Sequence, residues 1–245
     1  MKIDIAAHVM PVGYRDALYK FKSSKFNLRT VIDTLPTMVD LDHRFRLMDK
    51  FEGMLQVLTM TSPAVEEFAG PKKSPDFARR ANDGMAELVM KYPDRFAAAV
   101  ACLPMNNIDA ALVEIDRAVN DLKLRGAQVN TPINDKPLDA PEFMPVYEKM
   151  AQYNLPIWIH PMRTVDFTDY RTEKTSKYMI FHVFGWPYET AAAMTRLVFS
   201  GVFEKFPNLK FIVHHAGGMV PFLEERIIGA YDHAEMQRRA KYKNG

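Results

Sequence analysis

At 245 residues, 48% of them hydrophobic and 25% charged, the chain can bury a core of its own and reads as one α/β domain over residues 1–245. A net charge of +2 spread over dispersed Lys and Arg, with no basic block interleaved with aromatics, argues against a nucleic-acid partner. No apolar run approaches the roughly 20 residues of a membrane span, and the lone Cys102 forms no intrachain disulfide, so the expected location is the cytoplasm.

In chain order the short apolar runs are "KIDIAAH", "GMLQVLTM", "FAAAVACLP", "GAQVNTP", "LPIWIHP" and "LKFIVHHAGG". Longer segments with helical periodicity separate them, among them "SPDFARRANDGMAELVMKYPDRF" and "NIDAALVEIDRAVNDLK". That alternation predicts βα units around a parallel sheet, with the six runs adjacent in order. Residues 11–40 break the rhythm and read as a loop excursion over a barrel mouth. A complete (β/α)₈ barrel has eight strands, so two explanations compete: an open sheet, or a barrel whose last strands are absent from this sequence.

On the first run, regular alternation places Asp4, Ala6 and His8 on one face. An imidazole at position 6 in place of Ala6 is then expected to point where His8 points and to strengthen metal binding. Histidines recur at the C-terminal ends of later runs, His160 on the fifth and His214 and His215 on the sixth, which is the edge where parallel α/β folds build their sites. Alternation lets only one of His214 and His215 face inward. "AGG" after them gives a bend for close backbone approach to a ligand, or a helix-entry turn. Arg163, just past "WIHPM", is a candidate to hold a substrate carboxylate. Cys102 reads as a buried, inert thiol. "LDHRFRLMDK" reads as a solvated helix face, with Arg44 or Arg46 as lesser candidates to reach the site.

Three stretches together resemble the amidohydrolase-related decarboxylases, the group of aminocarboxymuconate semialdehyde decarboxylase. "MKIDIAAHVMP" is similar to the group's first strand, which carries an H-x-H or E-x-H clip. "LPIWIHP" is similar to its fifth-strand ligand, and "GWPYETAAAMTRLVFSGVFEKFPNLKFIVHHAGGMVPF" to its sixth-unit signature. The likeness runs from Met1 to about Arg226. It implies a (β/α)₈ barrel with the last strands lacking here, and a divalent metal, zinc being the expected ion, held by His8 and His160. His215, selected over His214 by counting back from Pro221 and Phe222, matches the histidine that meets the metal-bound water or substrate. Ala6 stands where the group has its first ligand, and the group's eighth-strand Asp has no counterpart among residues 1–245. A zinc site needs about three protein ligands. Ala6 therefore leaves three outcomes open: a three-ligand site completed by residues beyond these, a site shifted to another residue, or a lost metal.

The implied activity is non-oxidative decarboxylation of a small carboxylated aromatic or unsaturated acid, with His215 moving the proton and Arg163 holding the carboxylate. Hydrolysis or hydration through a metal-bound water is the alternative within enzymes. A non-catalytic barrel that serves as a scaffold is the alternative outside them. A second copy of the chain is a further partner left open.

Overall fold

The computed structural model describes residues 1–21 and 35–243. Its strands are β1 (Lys2–Val9), β2 (Met54–Met60), β3 (Phe96–Ala99), β4 (Ala101–Cys102), β5 (Ala127–Thr131), β6 (Ile157–Pro161) and β7 (Phe211–Val213). Every pairing between these strands is parallel, in the orders β1-β2-β3 and β4-β5-β6-β7. The run "FAAAVAC" supplies both β3 and β4: Val100 N–H donates to Leu58 O of β2, and the next residue, Ala101, donates to Gly126 O beside β5. The strand thus changes partners at Val100, which makes the two sheets halves of one curved surface. The six predicted runs are all present, parallel and adjacent in order. Among the described residues the sheets end at β1 on one side and β7 on the other.

Helices follow the strands. They are α1 (Val12–Lys20), α2 (Leu41–Met48), α3 (Val65–Phe68), α4 (Ser74–Lys91), α5 (Ile108–Asn120), α6 (Met144–Gln152), α7 (Ile180–Val183), α8 (Gly185–Phe199), α9 (Val202–Lys205) and α10 (Val220–Lys243). Asp40 caps α2 by accepting from His43 N at 2.9 Å, and Asn107 caps α5 by accepting from Ala110 N at 3.1 Å. None of these helices is long and apolar enough to cross a membrane. The excursion expected over residues 11–40 begins with α1, whose Tyr14 and Leu18 are buried. Its residues 22–34 lie outside the described residues.

Two layers of side chains hold the fold. Leu58, Phe96, Ala127, Val129, Ile157 and Ile159 face outward onto α4, α5 and α6, where Ala81, Met85, Ile115 and Met150 are fully buried. Each large side chain in that layer contributes about 1.5–3 kcal/mol by leaving water. Inside the curve a smaller group, Val57, Val100 and Trp158 with Ala98 and Ile212, forms an apolar floor. Trp158 Nε1 donates to Ile5 O at 2.8 Å, tying β6 to β1 across the interior. Gly126 leaves room for that indole, because a Cβ there would lie 2.5 Å from Trp158 Cζ3 and 2.6 Å from Pro156 O. Gly126→Ala is expected to cost about 1–3 kcal/mol through overpacking, read as a lower urea midpoint with an unchanged slope.

Candidate active site

The interior floor sets the facing of everything above it. Val57 faces in, so Thr59 does too; Trp158 faces in, so does His160; Ile212 faces in, so does His214. β1 pairs Asp4 with Gln56 but Ala7 with Leu58 and His8 with Thr59, so β1 carries one extra residue between Asp4 and Ala7. That bulge changes the alternation. His8 lies beside Thr59 on the inner face, whereas Asp4 falls on the outer side with Gln56, whose Nε2 donates to Asp4 Oδ2 at 3.3 Å. Ala6 sits within the bulge, its N–H donating to Asp4 Oδ1 at 3.1 Å. The expectation that Asp4, Ala6 and His8 share a face is therefore corrected. With it goes the simple argument that an imidazole at position 6 must point where His8 points.

At the C-terminal mouth the rings of His8, His160 and His214 meet. Centroids are 5.0 Å apart for His8 and His160, 4.8 Å for His160 and His214, and 5.3 Å for His8 and His214, the last pair stacked with 8° between planes. One ring nitrogen from each lies within 4.8 Å of the other two. His160 and His214 are almost fully buried, at 2% and 3% exposure. The expectation that His215, and not His214, is the member of the pair that faces the site is thus corrected as well. The count from Pro221 favoured His215, but strand alternation from Ile212 carries His214 inward.

Burial holds these imidazoles neutral, the form that carries a lone pair. It is the largest cause of the lowered pKa of His8, the strongly lowered pKa of His160 and that of His214, pushed down to about 3; the neighbouring imidazoles lower His160 and His214 further. His8 Nδ1 lies 3.0 Å from Met60 O and 3.0 Å from Thr59 Oγ1. A carbonyl only accepts, so Nδ1 carries the proton and Nε2 the lone pair. His160 Nδ1 and His214 Nε2 are buried with no hydrogen-bond partner. Neutral imidazoles that each place a ring nitrogen within 4.8 Å of the other two, two of them buried, are a donor set that fits a divalent metal ion.

His215 stands beside this cluster. It is exposed, 5.2 Å from His160 by ring centroids and stacked on Trp186 at 5.6 Å with 14° between planes. Its backbone has φ +53°, and Ala216 at +55° continues the turn. The close approach expected of "AGG" is to a helix: at Gly218, with φ +63°, a Cβ would lie 2.6 Å from Pro187 O of α8. Trp186 also donates from Nε1 to Arg163 O at 2.8 Å. Arg163 is not among the imidazoles. Its guanidinium lies over Phe167 and Tyr188, 3.8 Å from Glu189, and lines a cleft of about 750 Å³ with Tyr170, Phe181 and Phe184.

One of the lesser candidates reaches the site, and one further residue there escaped the sequence reading. Arg44, expected mainly on a solvated face, is buried and donates to His8 O, to Gln56 Oε1 at 2.8 Å and to Thr37 O at 2.9 Å, so it fixes the peptide of His8 from outside the strand. Arg46 is exposed. Trp186 lay within the quoted "GWPYET", and nothing in its spacing marked it as the ring that faces His215. Cys102 is buried and free, as expected.

The family model described as amidohydrolase matches residues 3–240. The chain belongs to the amidohydrolase family. It is similar to a gamma-resorcylate decarboxylase of Rhizobium sp. (strain MTP-10005), 34% identical over 195 residues, covering 76% of this chain and 58% of that protein. It is also similar to a 2-amino-3-carboxymuconate-6-semialdehyde decarboxylase of Dictyostelium discoideum, 31% identical over 188 residues, with 77% and 51% covered. The chain therefore spans little more than half the length of these curated relatives. Among solved structures it matches a dihydroxybenzoic acid decarboxylase from Polaromonas sp. JS666 with bound manganese and the inhibitor 2-nitroresorcinol. There the TM-score is 0.74 and the identity 28%, over 92% of this chain and 68% of that one. The resemblance read from the three sequence motifs is thereby confirmed, and the parallel α/β architecture agrees with it.

Proposed function

We propose that this amidohydrolase is a divalent-metal-dependent, non-oxidative decarboxylase of a small hydroxylated aromatic acid. The observation that carries the reading is the meeting of His8, His160 and His214 above the interior floor, with His215 beside them. The likeness to decarboxylases of resorcylate and dihydroxybenzoate supports the substrate class.

When bound, a divalent ion at His8 and His160 supplies a Lewis acid that holds oxygen donors of the substrate. Zinc is the ion we propose, since imidazole donors suit it, although the Polaromonas relative holds manganese. The protein's own part is orientation and proton transfer. Thr59 and Met60 O fix the tautomer of His8, and Arg44 fixes its main chain. His215, held flat against Trp186, delivers a proton to the ring carbon that bears the carboxylate. The bond from that carbon to the carboxylate then breaks, its electron pair returns to the ring, carbon dioxide leaves, and water reprotonates His215. Arg163, backed by Phe167 and Tyr188, offers its charge to a second anionic group of the substrate at the cleft.

The test is to load the chain with Zn²⁺ or Mn²⁺ and assay it on 2,6-dihydroxybenzoate and related hydroxybenzoates in D₂O. Carbon dioxide release with one deuterium at the vacated carbon is the expected result. Hydrolysis of an ester or amide without such release would favour the hydrolase alternative, and inactivity across the panel with metal bound would sink the decarboxylase reading.

A further inference from the structure

We infer that the cavity between the loops that follow β2, β4 and β5 is a binding site for a small organic ammonium ion, with the Glu66 carboxylate as its counter-ion. None of His8, His160, His214 and His215 lines this cavity, so it is separate from the metal centre and does not depend on the reaction proposed there.

The space comes first. Residues 66–71 beyond β2, Asn106 beyond β4 and Asn134 beyond β5 enclose about 580 Å³, the size of an ordinary small-molecule pocket. All three loops leave the C-terminal edge of the sheet, where parallel α/β folds take their ligands.

Charge then selects the class of ligand. Three carboxyl groups line the cavity, Glu66, Glu67 and Glu142, against one cation, Lys136, which Glu142 already engages at 2.8 Å. Asn106 is engaged as well: its Oδ1 accepts from Ser74 Oγ at 2.6 Å and its Nδ2 donates to Ala69 O at 2.9 Å. A ligand that brings positive charge and N–H donors fits such a lining, and an anion does not.

Acidic lining alone is common, and the second observation is Glu66 itself. Its side chain is 6% exposed, and Oε1 meets no hydrogen-bond partner among the described residues, whereas buried oxygens are ordinarily paired. The titratable groups that bear on it are Glu67 on its own helix, Tyr14 of α1 and Cys102 of β4. None of these is a cation. Burial therefore keeps the proton on Glu66 up to about pH 8. An ammonium ion in the cavity supplies the missing donor and the missing charge together.

The walls favour an organic cation over a metal ion. The rings of Phe21 and Phe68 both line the cavity, 5.8 Å apart by centroids, together with Met105 and Ile133. Lys73 Nζ already lies 5.2 Å from the centre of the Phe21 ring, so that ring draws a cation. A calcium ion instead needs six or more oxygen ligands, roughly, and aromatic walls do not offer them.

The experiment is calorimetric titration of the 245-residue chain, wild type and Glu66→Gln, with benzylammonium, benzyl alcohol and Ca²⁺ at neutral pH in two buffers of different ionisation enthalpy. Wild type is expected to bind benzylammonium saturably and to release about one proton per ligand, because Glu66 ionises beside the cation. That release should vanish as pH rises through about 8, where Glu66 is already ionised. Glu66→Gln should bind about 10- to 100-fold more weakly, the loss of a charged hydrogen bond, and release no proton. Absence of saturable binding, equal affinity in Glu66→Gln, or benzyl alcohol binding as tightly as the ammonium overturns the inference. So does Ca²⁺ that displaces benzylammonium in a Glu66-dependent way, since the site would then be one for a metal. Should Glu66→Gln fail to fold, the wild type decides alone: binding with proton release supports the site, and binding without it refutes the role of Glu66.

Discussion

Replacing His215 by Asn should lower kcat on a hydroxybenzoate substrate by about 10²–10⁴-fold, the range that a positioned general acid or base supplies, while the metal content stays that of wild type. Asn is the informative replacement for two reasons. His215 has φ +53°, a left-handed conformation that Asn adopts more readily than most residues, so the turn into α10 survives the change. Asn also keeps a polar group near the place of the imidazole but cannot carry a proton to carbon. The ring of Trp186 loses its stacking partner, yet its N–H still donates to Arg163 O at 2.8 Å and holds it in place. Single-turnover assays on metal-analysed protein separate the outcomes. A fall in rate matched by a fall in bound metal would make His215 a ligand, and a rate near that of wild type would remove it from the chemistry.

The sheet was legible because each strand is a short apolar run bounded by turn residues, and period-2 alternation survives on β6 and β7. Irregularities were not legible. The extra residue between Asp4 and Ala7 in β1 leaves no mark in "KIDIAAH", yet it turns Asp4 away from His8 and hands Asp4 to Gln56. The partner change at Val100 is equally silent, since "FAAAVAC" is apolar throughout. For the histidines, two rules pointed in opposite directions. Counting along the motif selected His215, and the facing of Ile212 selects His214; the structure gives both a place, one buried with His8 and His160 and the other exposed against Trp186. Arg44 ranked only as a lesser candidate because a charged residue on an amphipathic helix is ordinarily solvated. Its burial depends on three acceptors drawn from β1, β2 and the segment before α2, which only the tertiary fold brings together.

Glu66 should make the stability of the fold fall as pH rises from about 4.5 to about 8. It lies on α3 with only 6% exposure, and one carboxyl oxygen, Oε1, has no hydrogen-bond partner. Burial, assisted by the charge of Glu67, pushes its pKa up to about 8 from an ordinary 4.5. The folded chain therefore holds a proton that the unfolded chain has released, and the stabilisation is complete below the unfolded value. It is lost as pH climbs through the folded one. At about 1.4 kcal/mol per pH unit the difference reaches roughly 5 kcal/mol once pH exceeds 8, a large share of the stability of an ordinary domain. Glu66→Gln removes the titration. Its amide introduces a second donor that needs a partner, which costs about 1–3 kcal/mol at every pH. The variant should accordingly be the less stable protein near pH 4.5 and the more stable one above pH 8. The buried histidines also titrate on unfolding, but equally in both proteins, so the difference between their stability curves isolates Glu66. Urea unfolding at several pH values across this window measures that difference directly. Curves that run parallel would mean that Glu66 titrates as an ordinary carboxylate and that water reaches it in the folded protein.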